Sequence, residues 1–355
     1  LLSRADEVFP DPITVGGFAA VAVDNTALAF NPEPSPAGLA GALVWADRSG
    51  LSRLVLFVDD ETVVDETVVD ATVADVSVGE VHVGALPVDS EPVDGAPEGV
   101  AGQLARMAKW FSFPIEVRVV VGASSRIAEA APFPTALPAD DDPELATALA
   151  AEGLERVVEQ GIVRGEVLGL EVARLVRWPK TNGGDGALHL EAGVGRFDRD
   201  ASAAMHGPDS GAVSLARAVG MVRAQRFAGA AGHPIARMAR DRWLRVAVVD
   251  QPELVGAKEL ASVESTVRRP SVRDLSPAAA LGTTSDGVPL MVVCTAGVDL
   301  SLVPVAADTR ELHSPGAQLK LAVPDRDRLQ VVERLAELLV QPAEVVAVPE
   351  PWGRA

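Results

Sequence analysis

The sequence predicts a mixed α/β fold, with βαβ-type portions at both ends and an antiparallel strand pair in the middle section. Three observations lead there. Near the N-terminus a Val/Ala run, an amphipathic stretch and an apolar run succeed one another as strand, helix, strand. Near the C-terminus apolar strand segments flank a stretch of helical period at 325–340. Between them, apolar segments meet at the glycine-rich turn TNGGDG, 181–186.

In chain order, GGFAAVAV (16–23) is a strand. SPAGLAGALVWADRSG (35–50) opens on Ser-Pro, keeps helical apolar spacing and stops on glycine, and RLVLFV (53–58) is a buried strand. From Thr62 to Leu86 a decaying repeat of five residues follows (TVVDE, TVVDA, TVADV, SVGEV, HVGAL). Five fits neither 3.6 nor 2, so it reads as a local duplication that carries no chemistry. GVAGQLARMAKWF is a helix and IEVRVVV a strand. The serines after it, Ser124 and Ser125, read as a cap, because the second glycine of a nucleophile elbow is missing.

The Pro/Ala/Asp segment 131–144 is a linker or long loop, and PELATALAAEGLERVVEQG (143–161) is helical. GIVRGEVLGLEVARLVRW and LHLEAGVG are antiparallel strands. Helices are expected at about 212–227 and 234–243, then LRVAVV (244–249) as a strand. A second linker spans 265–282. LMVVCTAG, AQLKLAVP and AEVVAVP are strands. The helix among them, DRDRLQVVERLAELLV, places Leu329, Val332, Leu335, Ala336 and Leu339 on one face. The expected organisation is an acidic α/β domain at 1–130, an α+β middle domain with Arg-rich helices at 145–264, and a C-terminal βαβ portion at 283–355 that packs with the middle domain or stands apart.

Composition limits the function. With 355 residues, 48% hydrophobic, the chain can bury large cores in several domains. It has no tyrosine, which removes mechanisms built on a tyrosine acid or nucleophile. Cys294 is its one cysteine, so neither an intrachain disulfide nor a multi-cysteine zinc site can form, and no disulfide-linked partner is expected. The apolar runs are too short to span a bilayer, and the first residues lack a signal peptide's apolar core. A cytoplasmic protein without a membrane partner is expected. The net charge of −19 is uneven. Residues 1–100 hold eighteen Asp/Glu against Arg4, Arg48 and Arg53, whereas 211–247 hold seven Arg against Asp241. The first region repels nucleic acid and attracts basic partners; the second attracts phosphate or the acidic region itself.

Candidate sites centre on LHLEAGVGRFDRDASAAMHG, Leu188 to Gly207. Glu171 and Glu191 fall on neighbouring strands. With Asp198 and Asp200 they offer the hard oxygen ligands that Mg²⁺ or Mn²⁺ takes when it activates water against a phosphoester. Whether the glutamates share a face depends on strand register; the competing reading makes both solvent-facing strand residues. Acids on adjacent strands resemble the PD-(D/E)XK nucleases in that feature alone, since Gly193 stands where that family has its lysine. The glycines Gly193 and Gly195 serve a turn, because no complete phosphate-loop spacing surrounds them. Arg237, Arg240, Arg242 and Arg245, around Trp243, are the candidate phosphate or anion clamp. His82, His189, His206, His233 and His313 are scattered, and Cys294 reads as a core residue. Two functions remain in view: a divalent-metal-dependent hydrolase of phosphoester or nucleic-acid type acting on a phosphate-bearing substrate, and a non-catalytic acidic interaction or scaffold protein with a basic protein partner.

Overall fold

The computed structural model describes residues 13–15, 18–59, 99–121, 124–140, 142–177, 186–195, 198–199, 211–227, 233–269 and 276–352. The five-residue repeat, Asp200 and His206 lie outside them. The described residues form a mixed α/β protein with three sheets of parallel and antiparallel strands. The chain divides into two units, the first holding one sheet and the second two.

In the first unit six strands pair in sequence order: β1 (Ile13–Val15), β2 (Phe18–Val23), β3 (Thr26–Asn31), β4 (Arg53–Asp59), β5 (Ile115–Val121) and β6 (Ser124–Ile127). β1 to β3 form an antiparallel meander, and only β3, β4 and β5 run parallel. The crossover therefore starts from β3, a strand missing from the sequence-based expectation, and not from β2. Its helix α1 (Pro36–Arg48) begins where Ser35 Oγ accepts the Gly38 N–H at 3.2 Å, with proline in the first turn. α1 buries Leu39 and Leu43 beside β4, and α2 (Gly99–Ala108) buries Leu104 and Met107 beside β5. Ser124 and Ser125 are not caps. They lie in β6, antiparallel to β5, where Arg118 Nε donates to Ser125 Oγ at 3.0 Å.

In the second unit α3 (Pro143–Ala151) is capped by Asp142, which accepts the Glu144 and Leu145 N–H groups. The helix ends at Ala151, and LERVVEQG is not its continuation. Gly153 takes φ +65°, and β7 (Glu155–Glu159) follows. β7, β8 (Ile162–Val167), β9 (Leu170–Arg177) and β10 (Leu188–Ala192) make an antiparallel sheet in that order. Both central residues of each of the first two hairpins have positive φ: Gln160 and Gly161, then Leu168 and Gly169. This is the hairpin geometry that matches strand twist, supplied by one glycine and one strained neighbour.

Among the described residues the helices α4 (Gly211–Arg223), α5 (Pro234–Arg237) and α6 (Arg240–Asp250) follow. α6 includes LRVAVV, which is helical and not a strand. Its branched residues suit a strand by propensity, but Trp243, Leu244, Ala247 and Val248 have the i, i+3, i+4 spacing of one apolar helix face and bury it. The last sheet runs β11 (Ala257–Val263), β12 (Ala278–Thr284), β13 (Pro289–Cys294), β14 (Gln318–Pro324), β15 (Glu344–Val348). β12 begins inside the stretch expected as a linker, its alanines buried between β11 and β13. β13, β14 and β15 are parallel, connected by α7 (Leu302–His313) and α8 (Gln330–Glu337). On α8, Val332, Leu335 and Ala336 are buried as the spacing predicts.

Candidate functional site

The β7–β10 sheet has two unlike faces. Cross-strand partners share a face, and pairing is Val158 with Val163, Gly165 with Ala173, Val167 with Leu170, and Leu190 with Leu175. That face is apolar and packs on α4 through Leu215, Ala218, Val219 and Val222. Glu155, Glu159, Arg164, Glu166, Arg174 and Glu191 occupy the other face, following the same pairing. Glu171 joins them because of an irregularity. Gly165 pairs with Ala173 but Glu166 pairs with Glu171, so Val172 is an extra residue that turns Glu171 onto the charged face.

At its centre this charged face is not solvated. Glu166 is 1% exposed and Glu171 2%. α6 supplies the cover, positioned by Gly169 at φ +74°: a Cβ there would lie 2.4 Å from the carbonyl carbon of Arg242. Glu166 accepts from Arg242 through Oε1 and from Arg245 Nη2 at 3.0 Å through Oε2. Arg242 also donates to Glu159, and Arg245 Nη2 lies 3.7 Å from Glu155. Glu171 accepts from Arg164, from Arg199 Nη1 at 3.1 Å and from Arg269 Nη2 at 3.4 Å.

Burial alone would push the Glu159 and Glu171 carboxyls up, but the guanidiniums outweigh it. Arg242 holds Glu159 below the ordinary carboxylate range, and Arg164 and Arg199 do the same for Glu171. Burial likewise works against the Arg242 charge, yet Glu166 and Glu159 hold it above its ordinary value. Arg199 is driven the other way, downward, by burial and then by Arg174.

The residues singled out in the sequence divide accordingly. Glu191 shares the face of Glu171 but lies opposite Arg174 and accepts from its Nε at 2.9 Å. What joins the two glutamates is a guanidinium, Arg199, 3.1 Å from Glu171 and 4.0 Å from Glu191. Asp198 accepts the Val194 N–H at 2.8 Å and so closes the turn made by Gly193 and Gly195. Among the described residues no group of three or more His, Cys, Asp or Glu is placed to hold a metal ion; Asp200 lies outside them.

Arg242 and Arg245 belong to the network. Arg240 pairs with Glu350 and lies over the Trp352 ring, while Arg237 is exposed. Arg226, buried, donates to the Met238 and Ala239 carbonyls and lies over Trp243; burial pushes it down to about 9. Cys294 is fully buried, and burial raises its thiol far above the ordinary value, which opposes thiolate chemistry. His233 caps α5 through Nδ1, and His313 Nε2 lies 2.7 Å from the Glu264 carbonyl. Arg164, Arg199 and Arg269 were not singled out by the sequence reading, nor were Glu159 and Glu166. The alternation of Glu and Arg from 155 to 166 is the signal that carries part of them.

A small cleft opens beside the network, lined by Glu159, Arg164, Arg242, Arg245, Glu264 and Arg269 among others. Its free volume, about 30 Å³, is too small for a nucleotide or sugar. None of the described helices is long and apolar enough to cross a membrane. No protein-family model matches this chain, nor does any curated protein or solved structure.

Proposed function

We propose that the chain is a non-catalytic interaction protein whose acidic N-terminal third meets a basic partner. The observation that carries this reading is the environment of Glu171. The carboxylate on which a metal-dependent hydrolase would depend is held by Arg164, Arg199 and Arg269. A divalent cation needs carboxylate oxygens facing an open coordination position, and here it would have to displace guanidiniums from a buried site. The alternative, an Mg²⁺- or Mn²⁺-dependent hydrolase using Glu171, Glu191, Asp198 and Asp200 on a phosphate-bearing substrate, has in its favour that the two glutamates share a sheet face.

The charge distribution favours a basic partner. Eighteen acids against three arginines in the first hundred residues produce a field that attracts polycations. Light scattering with a lysine-rich peptide tests it. Association is expected at about 0.1 M salt and is lost near 1 M, as the screening length falls from roughly 10 to 3 Å. Changing Asp65, Glu66, Asp70 and Asp75 to their amides should weaken it, whereas the same change at Asp325 and Asp327 should not. Scattering indifferent to salt, or equal loss from both sets of changes, would contradict the proposal.

A further inference from the structure

The cleft beside the network is lined by five arginines, Arg164, Arg242, Arg245, Arg268 and Arg269, and by two glutamates, Glu159 and Glu264. With Glu155, Glu166 and Glu171 counted behind them the charges balance, but the hydrogen bonding shows a deficit of acceptors. Among the described residues Arg242 Nε, Arg245 Nε and Arg269 Nη1 are each buried without a hydrogen-bond partner, and Arg164 Nε has only an ion-pair contact with Glu159 at 3.4 Å. Three such donors on side chains lining one cleft are far from the usual condition of buried polar groups. Arg269 is the most exposed to this deficit. Its side chain is 6% exposed, it reaches Glu171 only at 3.4 Å, and burial together with Arg242 drives its guanidinium below its ordinary value.

We propose that this cleft is a binding site for a compact tetrahedral oxyanion of the phosphate class, held by Arg269 with Arg164, Arg242 and Arg245. A phosphate offers several acceptor oxygens and up to two negative charges, and guanidinium is the side chain best matched to it. The arrangement explains why Glu264 matters. It lines the same cleft, accepts the Gln160 N–H at 2.9 Å through Oε1, and presents a carboxylate that opposes an anion. This site is independent of the acidic N-terminal third and of its partner.

Isothermal titration calorimetry of the full chain with sodium phosphate, against sodium chloride at equal ionic strength, tests the proposal. Saturable phosphate binding is expected, weakened at least tenfold in Arg269→Gln. Glu171 keeps Arg164 and Arg199 in that variant, so the fold is retained. Glu264→Gln removes the opposing charge and preserves the acceptor for Gln160, so it should bind phosphate several-fold more tightly. Two variants that move the affinity in opposite directions cannot both do so through misfolding. Phenyl phosphate distinguishes the source of the group: binding equal to phosphate assigns the site to a monoester, and failure to bind assigns it to the free ion. Heats indistinguishable from chloride would overturn the site, leaving water as the occupant. So would an unchanged affinity in both variants, or acetate binding as tightly as phosphate.

Discussion

Replacing Glu166 by alanine is expected to destabilise the second unit by about 3–5 kcal/mol, the cost of breaking a buried ion pair from one side. This carboxylate is shared by Arg242 and Arg245, and both guanidiniums are buried. Arg242 would retain Glu159, but Arg245 would be left with Glu155 at 3.7 Å. For a unit of this size the melting temperature should fall by roughly 10 °C. Glu166→Gln, which keeps an acceptor, should cost less. Replacing Glu166, Arg242 and Arg245 together by apolar residues of similar volume should recover most of the loss, because desolvation of the charges disappears with the charges. Thermal unfolding followed by circular dichroism provides the check. A loss below about 1 kcal/mol in Glu166→Ala, the range of an exposed pair, would show that water reaches these arginines.

The second large effect is on pH dependence and comes from Asp241. It lies in the first turn of α6, 2% exposed, and accepts the Ser276 and Ala296 N–H groups at 2.9 and 2.7 Å and the Thr295 hydroxyl at 3.3 Å. Burial pushes its carboxyl up to about 6; those hydrogen bonds pull the other way and are outweighed. A carboxyl whose folded pKa is raised favours folding when protonated. Its contribution is complete below the unfolded value near 3.8 and is lost as pH rises through about 6. Stability should therefore increase on acidification from pH 7.5 to 5, by about 1.5 kcal/mol. Glu264, raised chiefly by its own burial, adds in the same direction. Glu159 and Glu171 act oppositely, but their values are lowered, so their contribution is lost only below about pH 4.5. Urea unfolding at pH 7.5, 6 and 5 should show the rise in the wild type and a much flatter profile in Asp241→Asn. A wild type that loses stability over this range would contradict the dominance of burial at Asp241.

The elements legible in the sequence are those whose pattern is local. α1 announces itself by Ser35, Pro36 and its apolar period, α8 by Val332, Leu335 and Ala336, and β13 by an unbroken apolar run. Errors arose where tertiary context decides. The branched residues of α6 favour a strand, and only the apolar environment on one side of it, including Leu290 and Val292, makes helical burial of Leu244 and Val248 the better outcome. β12 is weakly marked because alanines and glycine serve a central strand whose neighbours supply the bulk. At the candidate site, the alternation of Glu and Arg along β7 and β8 was visible, but its meaning was not. Alternating charge ordinarily marks a wet face. Here the cover is a helix about eighty residues further on, as the Arg242–Glu159 and Arg245–Glu166 pairs show, and a single extra residue at Val172 brings in Glu171.

The central claim, that Glu171 and Glu191 serve guanidiniums and not a metal ion, is tested most directly by thermal unfolding in millimolar MgCl₂ or MnCl₂, compared with NaCl at equal ionic strength. The wild type and Glu191→Ala should each melt at the same temperature with and without the divalent ion. A divalent-specific rise in the wild type that is absent from Glu191→Ala would contradict the account and make these glutamates metal ligands.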